Sequence, residues 1–474
     1  MIDVSVLAES ASPYGIIDAR QALQRHGLLH GLLAIRAARH EVANDRVLAA
    51  ADDQLLPVAT LNPVQYLEWP AELARVLAAG VVALRFLPSV QGWSVDSEAF
   101  RAIAGRVRVP LLLPVGRFGD ATAIGAATEG RGAVVLMGAH YSQLGDCLAA
   151  LERWPHLYLE TSRMAHFRAI ETVVRTIGVE RVLFGSGAPA RPVQAALNMV
   201  LSARIDSAEM HAILGGNSAR VFGLRVEAFD LPSPTMPSGL IDVHGHIGAL
   251  GLPTPSICPN EQIAVAASHG IGTTVASSLV AIADDRAAGN AEALAAACDE
   301  LRAYVVVDPN DLEASCRALD HAYARDLALG AKLHCSYAGS ATASRECMAL
   351  LREVAQRGRP LLIHVDGPDW DSALEEVARA HPRWKVIVAH GGPGTPVRAA
   401  AALVERTDNV YVELSTSFPD LPVVSDVVRR AGPGRLLFGS DAPLLDAAYA
   451  LGLYADAGAN LAATSAAAHE VFSW

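Results

Sequence analysis

The stretch Gly239-Leu-Ile-Asp-Val-His-Gly-His-Ile-Gly248 decides how the rest of the chain is interpreted. Its apolar start leads into Asp242, His244 and His246, and glycine, leucine and proline then break the pattern. As a β-strand that runs into a loop, it places these three side chains on one face, because successive side chains of a strand alternate. Two imidazoles on one face can bind the same cation, and Gly245 leaves room for it. A His-x-His pair alone is weak evidence, since the chain has 16 histidines.

Composition and charge exclude some classes of partner. The 474 residues suffice for two barrel-sized domains or about three ordinary ones, and the 51% hydrophobic content suffices for large buried cores. The formal net charge of −12 argues against nucleic acid and an anionic membrane as partners. We therefore expect a soluble, acidic protein with a small-molecule substrate.

Cysteine usage and the first residues predict a cytoplasmic protein. None of the six cysteines forms a Cys-x-x-Cys pair, so we expect no disulfide framework and a reducing compartment. The opening stretch, Met1-Ile-Asp-Val-Ser-Val-Leu-Ala-Glu9, is acidic where a signal peptide is basic. No apolar run approaches the roughly 18 residues of a membrane span.

The two halves of the chain contain similar segments in the same order. The matched pairs are 15–20 with 239–244, 61–63 with 307–309, 109–114 with 359–364, 134–138 with 386–390, 157–160 with 410–413, and 181–189 with 435–443. Such self-similarity predicts a tandem duplication. A segment rich in proline and serine, 226–239, separates the halves, and we place the boundary near residue 232, which gives domains 1–231 and 232–474.

The spacing between matched residues changes near the start of the repeat. From Asp18 to Asp242 the offset is 224 residues (242 − 18), and from Pro63 to Pro309 it is 246 (309 − 63). We therefore expect the second half to have a long loop after its first strand, from residue 247 to about residue 260, and the first half to lack it.

Short apolar segments alternate with Ala/Leu/Arg-rich helical segments, and each half offers eight strand candidates. Those of the second half are 240–243, 273–277, 303–307, 331–334, 361–364, 386–389, 410–413 and 436–439. Continuous apolar strands that alternate with helices are typical of parallel sheets. The pattern predicts an α/β fold of two tandem (β/α)8 TIM-like barrels. The alternative is an open doubly wound sheet, whose dinucleotide-binding form needs Gly-x-Gly-x-x-Gly, and the glycine cluster 390–394 does not supply it.

Metal-ligand residue types follow the predicted strands of the second half. They are His244 and His246 after strand 1, Lys332 and His334 at strand 4, His364 after strand 5, His390 after strand 6 and Asp441 after strand 8. Because the carboxyl ends of barrel strands form the catalytic face, we expect these side chains to meet there. Histidine and carboxylate ligands suit zinc or another borderline divalent cation.

These motifs resemble the amidohydrolase superfamily, above all the branch of aminocarboxymuconate semialdehyde decarboxylase-like enzymes and small metal-dependent hydrolases. The segments that carry the resemblance are 242–246, 330–334, 362–364, 388–392 and 438–443. The resemblance implies that one metal, most readily Zn²⁺ and otherwise another divalent cation, is bound per chain by His244, His246, His364 and Asp441. It also implies that His390 acts as acid or base or polarises the substrate, and that Asp441 takes a proton from metal-bound water.

Further roles also follow from the resemblance. Some superfamily members carboxylate a lysine at strand 4 to bridge two metals. Here we favour one metal, and leave Lys332 and His334 as contacts of the substrate or of a second metal. Asp242 is expected to orient a histidine or to hold its strand. Glu413 recurs in the first half as Glu160, so a structural role is favoured for it.

The first half is expected to lack a metal site. On the matched pairs, the positions of the five histidine and aspartate candidates carry Arg20, Ala22, Pro114, Gly138 and Gly187. The resemblance also implies that two barrels pair, so that the halves form an internal pseudo-dimer. Four arginines follow first-half strands: Arg20, Arg85, Arg117 and Arg163. We expect them to hold the barrel mouth together, and the alternative that the resemblance implies is that one of them reaches the substrate carboxylate in the second half.

The expected activity is that of a metal-dependent hydrolase of a small-molecule amide, lactone or related C–N or C–O bond, which uses metal-bound hydroxide in the second half. A non-oxidative decarboxylase on the same metal site is the alternative. A non-catalytic scaffold is a third class, which the complete set of second-half ligands disfavours.

Overall fold

The computed structural model describes residues 1–9, 14–233, 236–251, 256–391 and 397–473. The chain divides into two compact units, Met1–Pro234 and Thr235–Trp474. Each unit contains one sheet of parallel strands, and the strands alternate with helices. The prediction of two tandem (β/α)8 TIM-like barrels is confirmed.

The first barrel has eight parallel strands in sequential order. They are β1 (Ile2–Ala8), β2 (His30–Ile35), β3 (Leu55–Ala59), β4 (Ala83–Arg85), β5 (Leu111–Pro114), β6 (Val134–Met137), β7 (Leu157–Glu160) and β8 (Val182–Leu183). The backbone N–H of Val4 donates to the carbonyl of Phe184 over 3.0 Å, and that of Leu7 to Ala188 over 2.9 Å. These bonds join the first strand to the segment after the eighth and close the barrel.

Eleven α-helices accompany the strands in the described part of the first unit. They are α1 (Ile16–Arg25), α2 (His40–Ala50), α3 (Trp69–Ala78), α4 (Pro88–Gln91), α5 (Glu98–Ala104), α6 (Asp120–Ala127), α7 (Leu144–Arg153), α8 (Ala169–Ile177), α9 (Val193–Leu201), α10 (Ser207–His211) and α11 (Asn217–Phe222). Apolar strand side chains such as Ile2, Val4 and Leu183 form one buried cluster with Phe222 of α11.

The first strand of this barrel is not the predicted one. Residues 16–25 form helix α1, which leaves Ile17 72% exposed, whereas β1 is buried over almost its whole length. The Asp18 carboxylate accepts a hydrogen bond from the Gly15 N–H, a helix-start arrangement. The prediction failed because the Ile-Asp pair occurs twice near the start of the chain, and only the earlier pair lies in a buried strand.

The expected absence of a loop in the first half is also wrong. Residues 9–15 connect β1 to α1, while residues 248–258 connect the corresponding elements of the second half, so the second connection is 11 − 7 = 4 residues longer. Residues 10–13 and 252–255 of these loops lie outside the described residues.

The second barrel has seven named strands, again parallel and in sequential order. They are β9 (Leu240–Ile247), β10 (Ile271–Ser278), β11 (Leu301–Val307), β12 (Gly330–His334), β13 (Leu361–His364), β14 (Val386–Val388) and β15 (Val410–Val412). The eighth predicted strand is present as parallel bridges from Val412 to Leu436, from Asp242 to Phe438 and from Gly245 to Ala442. This segment, 436–442, lies between β15 and β9 and closes the barrel, which excludes the open doubly wound sheet.

Ten helices belong to the described part of the second unit. They are α12 (Pro259–Ser268), α13 (Leu279–Ala283), α14 (Arg286–Ala295), α15 (Leu312–Tyr323), α16 (Arg345–Gln356), α17 (Trp370–Ala380), α18 (Val397–Arg406), α19 (Leu421–Ala431), α20 (Ala447–Asp456) and α21 (Leu461–Phe472). The glycine-rich residues 392–396 fall outside the described part of the chain. Across the described ranges, every helix is too short or too polar to cross a membrane. The six cysteines are all free thiols.

Candidate metal centre

Asp242 joins the first strand of the second barrel to the segment that closes it. Its Oδ1 accepts the backbone N–H groups of His244 and Ser440, each over 3.0 Å, and its Oδ2 accepts the Ser440 hydroxyl over 2.5 Å. Burial raises the pKa of the Asp242 carboxyl to about 7. Because both oxygens are occupied by protein donors, Asp242 positions the start of the His-x-His sequence.

His244 presents one ring nitrogen to the centre of the barrel mouth. Its Nδ1 lies 2.9 Å from Oε1 of Glu413, and the same oxygen accepts the backbone N–H of His390 over 2.6 Å. Since this oxygen is an acceptor, Nδ1 carries the ring proton and Nε2 keeps its lone pair. That Nε2 lies 2.8 Å from Nζ of Lys332 and 3.4 Å from Oδ1 of Asp441.

His390 and Asp441 both have left-handed backbone conformations, with φ of 62° and 60°. Such values are uncommon for residues other than glycine and occur often at functional sites. The Nδ1 of His390 lies 2.5 Å from the Ser415 carbonyl oxygen, which can only accept, so Nδ1 of His390 carries a ring proton. Three potential ligand atoms, one each from His244, His390 and Asp441, lie within 4.8 Å of one another.

The other histidines adjoin this group from two sides. His246 places Nε2 at 3.0 Å from Oδ1 of Asp441. The His364 ring lies 4.8 Å from the ring of His390 and stacks on His334 at 3.9 Å. Within the described ranges, Nδ1 of His364 is buried without a hydrogen-bond partner. The structure therefore brings the predicted residues to one place, but its tightest group contains His390, predicted as acid or base, and leaves His246 and His364 beside it.

The charges of the group favour a bound cation. Burial lowers the pKa of His244 and His246, and lowers that of His364 to about 2, so these imidazoles are neutral at pH 7. Burial would raise the pKa of Asp441, but the hydrogen bond from His246 and nearby positive charge outweigh it and hold the pKa below its ordinary value. The Nε2 lone pair of His244 and the Asp441 carboxylate lie close together, with further histidines beside them, and imidazole and carboxylate donors of this kind fit a divalent cation such as zinc.

Lys332 adds a positive charge at the same point. The side chain is completely buried on β12, and burial lowers the pKa of its ammonium to about 8. Its Nζ donates to the His244 Nε2 lone pair, which is the atom that would bind a metal. A cation on His244 and the Lys332 ammonium therefore compete for one lone pair. The ring of His334, two residues after Lys332, stacks on the ring of His364.

Glu413 was interpreted as structural, and the structure gives it a second task. Like Glu160 of the first barrel, it accepts two backbone N–H groups at the mouth: those of His390 and Ser415 for Glu413, and those of Gly138 and Ser162 for Glu160. Only Glu413 also binds a ring nitrogen, Nδ1 of His244. The sequence signal for this second role was that Glu413 is a carboxylate at a strand end in the half that contains the histidines.

The first barrel has other residues at the ligand positions. Asp3 bonds Ser186 and the Ser5 N–H as Asp242 bonds Ser440 and the His244 N–H, so Ser5 corresponds to His244 and Leu7 to His246. Arg20 and Ala22, the predicted counterparts, are wrong because both lie on helix α1. The remaining counterparts are Pro114, Gly138 and Gly187, so none of the five positions carries a histidine or a carboxylate.

One other group of metal-ligand types occurs among the described residues of the first barrel, namely His40, Glu41 and Glu68. Nδ1 of His40 accepts the backbone N–H of Asn62 over 3.1 Å, which occupies its lone pair. The Arg39 guanidinium bonds Glu41 and lowers the pKa of that carboxyl to about 2. The group is already satisfied by protein partners.

Comparison with known proteins gives a family match over both units. The family model described as amidohydrolase matches residues 17–224 and 241–472. No curated protein matches the sequence.

Similar solved structures each cover about half of this chain. The 2,6-dihydroxybenzoate decarboxylase from Rhizobium is 17% identical over 50% of this chain and 99% of its own, with a TM-score of 0.40. A probable 2-pyrone-4,6-dicarboxylic acid hydrolase from Acinetobacter baumannii is 16% identical over 50% and 100%, with a TM-score of 0.40. A dihydroxybenzoic acid decarboxylase from Polaromonas sp. JS666 with bound manganese is 15% identical over 50% and 97%, with a TM-score of 0.39.

Proposed function

The chain belongs to the amidohydrolase family, and we propose that its second barrel is a metal-dependent hydrolase of a small-molecule amide, lactone or related C–N or C–O bond. The observation that carries the proposal is the convergence of His244, His390 and Asp441 at the barrel mouth. His244 and His390 each carry a ring proton on Nδ1, which is hydrogen-bonded to another part of the protein. Asp441 is a carboxylate at pH 7.

We further propose that one divalent cation, most readily Zn²⁺, is held by His244, His246, His364 and Asp441, and that His390 lies beside it as an acid or base. When bound, such a cation supplies a Lewis acid that polarises a substrate oxygen and acidifies water. The chain's own groups supply the proton transfers. The Asp441 carboxylate accepts a proton, and Nε2 of His390 accepts or returns one. Lys332 holds an anionic oxygen through its ammonium.

Elemental analysis of the full-length protein tests the metal site. We expect about one equivalent of zinc per chain after reconstitution, and its loss in His244→Ala and Asp441→Asn. Glu68→Gln is the control, because Glu68 is exposed and belongs to the other group of ligand types. The assignment of the metal to the second barrel would be refuted if the His244→Ala/His246→Ala double variant kept its zinc and Glu68→Gln lost it.

Decarboxylation is the second candidate, and the observation that favours it is the buried ammonium of Lys332 beside His244. A decarboxylase needs a cation that binds the substrate carboxylate, and Lys332 is such a group. Reconstituted protein should be assayed on lactones, amides and aromatic carboxylic acids in ¹⁸O-labelled water. Label in the cleaved product without CO2 supports hydrolysis, and stoichiometric CO2 decides for decarboxylation. Either activity should fail in Asp441→Asn.

A further inference from the structure

We propose that the first barrel binds a small organic carboxylate at its own mouth, through the guanidinium of Arg85. A cavity of about 300 Å³ opens there, and its lining includes Ser5 of β1, Arg85 of β4 and Gly138 after β6. These strand ends correspond to those that carry the metal-ligand types in the second barrel. The inference concerns the barrel without those ligands, and it stands independently of the proposed hydrolase.

Arg85 is the central observation. It is the last residue of β4, it is only 8% exposed, and it lines the cavity. Two of its nitrogens, Nε and Nη1, are buried without a hydrogen-bond partner among the described residues. A buried guanidinium with unsatisfied N–H groups destabilises a fold, and a carboxylate satisfies such groups in the parallel geometry that guanidinium prefers.

Arg85 occupies the position that Lys332 has in the second barrel. Arg85 pairs in register with Leu112 of β5, and Lys332 pairs with Leu362 of β13. Leu112 and Leu362 are themselves counterparts within the matched segments 109–114 and 359–364. Both barrels therefore place a buried cation at the same point of the mouth, but Lys332 has a histidine partner and Arg85 has a cavity.

Two further arginines use the space that ligand side chains occupy in the second barrel. Gly138 and Gly187 have φ of 67° and 78°, the same left-handed conformation as His390 and Asp441, their counterparts. A Cβ at Gly138 would lie 3.3 Å from Cδ of Arg163, and one at Gly187 would lie 2.6 Å from Cδ of Arg191.

Both arginines line the cavity, and in the described part of the chain Nη1 of Arg191 is buried without a hydrogen-bond partner. Arginine side chains of the first barrel thus fill the space that corresponds to the metal-ligand side chains of the second barrel.

The other charges leave the cavity positive. Arg36 also lines it and pairs with Glu9 at 3.5 Å, so these two cancel. The buried carboxyls of Asp3 and Glu160 are close enough to Arg85 to act on its pKa, which they raise, and burial raises the pKa of both carboxyls. Burial lowers the pKa of Arg85 to about 10, which leaves it charged at pH 7. An anion is the complement to this arrangement.

The rest of the lining defines the class of anion. It includes the apolar side chains of Leu7, Leu87, Val90, Val115 and Met137. An apolar wall around a buried guanidinium matches a carboxylate carried on an apolar body, and the volume is that of a small-ligand pocket. Inorganic phosphate lacks the apolar body, and an uncharged analogue leaves Arg85 unpaired.

Calorimetric titration of the full-length chain with benzoate tests the proposal. The background is the His244→Ala/Lys332→Met variant, which removes the corresponding cation of the second barrel. We expect benzoate to bind, benzamide and inorganic phosphate to bind at least roughly tenfold more weakly, and Arg85→Met to weaken benzoate at least roughly tenfold. Arg117→Met is the matched control, since that side chain also follows a first-barrel strand but is 87% exposed.

A thermal melt with and without benzoate separates binding from support of the fold. Because a ligand that binds only the folded protein stabilises it, benzoate should raise the melting temperature of the background variant and leave that of Arg85→Met unchanged. If Arg85 only held the mouth together, the benzoate shift would remain in Arg85→Met. Unchanged benzoate affinity in Arg85→Met, or equal affinity for benzamide or phosphate, overturns the proposal. If Arg85→Met does not fold, Arg191→Met decides: weaker benzoate binding supports the proposal, and unchanged binding overturns it.

Discussion

Replacing Glu413 by glutamine separates metal binding from support of the fold. Oε1 of Glu413 accepts from His390 N–H and from Nδ1 of His244, and Oε2 accepts from the Ser415 N–H over 2.7 Å. Glutamine has one accepting oxygen and one donating amide. Whichever way the amide is turned, an N–H donor of the chain then faces another donor.

The magnitude follows from these contacts. A buried donor left without an acceptor costs about 1–3 kcal/mol, so the free energy of unfolding should fall by that amount. Loss of the carboxylate also removes the bond that keeps the proton of His244 on Nδ1. Changes of this kind weaken metal binding by about 10–100-fold, which corresponds to about 1.4–2.7 kcal/mol.

Glu160→Gln in the first barrel is the matched control. Glu160 is equally buried, accepts the Gly138 and Ser162 N–H groups and the Ser162 hydroxyl, and has no histidine partner. Urea unfolding of the metal-free variants should show a similar loss of stability for both. Competitive titration of zinc against a chromophoric chelator should show weaker binding only for Glu413→Gln. Equal zinc affinity in the two variants would refute the reasoning about His244.

Two further predictions concern the buried charges of the second barrel. Lys332→Met should strengthen zinc binding about tenfold, because the ammonium of Lys332 competes with the metal for Nε2 of His244. Weaker zinc binding in this variant, or a carbamate signal in ¹³C NMR of the unsubstituted protein with labelled bicarbonate, would instead identify Lys332 as a carboxylated bridge between two metals. The pKa of Asp242 is about 7 in the folded protein and 3.8 ordinarily, so between pH 4 and 7 the folded protein binds a proton that the unfolded chain does not. The contribution of Asp242 to the free energy of unfolding therefore falls as the pH rises from 4 to 7. Asp242→Asn should remove up to about 1.4 kcal/mol per pH unit of that slope in urea unfolding of the metal-free protein, and an unchanged slope would contradict the assignment.

The strands and the barrel architecture were predictable because buried parallel strands leave a strong pattern. Short continuous apolar runs, as at 361–363 and 386–389, have few alternative structures when helices separate them. The first strand of the first barrel was missed for a physical reason. Ile2-Asp3 and Ile17-Asp18 look alike locally, and only the contact of Asp3 with Ser186, 183 residues away, distinguishes them. The tandem duplication and the internal pseudo-dimer stay predictions.

The site was predictable as a set of residues and not as a geometry. Strand-end positions predicted that His244, His390 and Asp441 meet, because the carboxyl ends of barrel strands converge. The proton positions on the rings depend on Glu413 and on the Ser415 carbonyl, which come from another strand. The position of Lys332 on the His244 nitrogen depends on a side-chain rotamer, which sequence patterns do not encode.

Recurrence between the halves is a poor guide to function in this chain, and the paired carboxylates show why. Asp3 and Asp242 each bond a serine that closes the barrel, and Glu160 and Glu413 each hold the turn after the sixth strand. All four are fully or almost fully buried, with pKa values raised by burial, so they are costly and are present in both barrels. Barrel closure thus requires them whatever the chemistry. Yet Glu413 also fixes the proton of His244, so a residue that the fold requires serves the metal site as well. The residues that donate to these carboxylates distinguish the two cases: they are His244 and His390 in the second barrel, and Ser5 and Gly138 in the first. Gly138 leaves room for the side chain of Arg163.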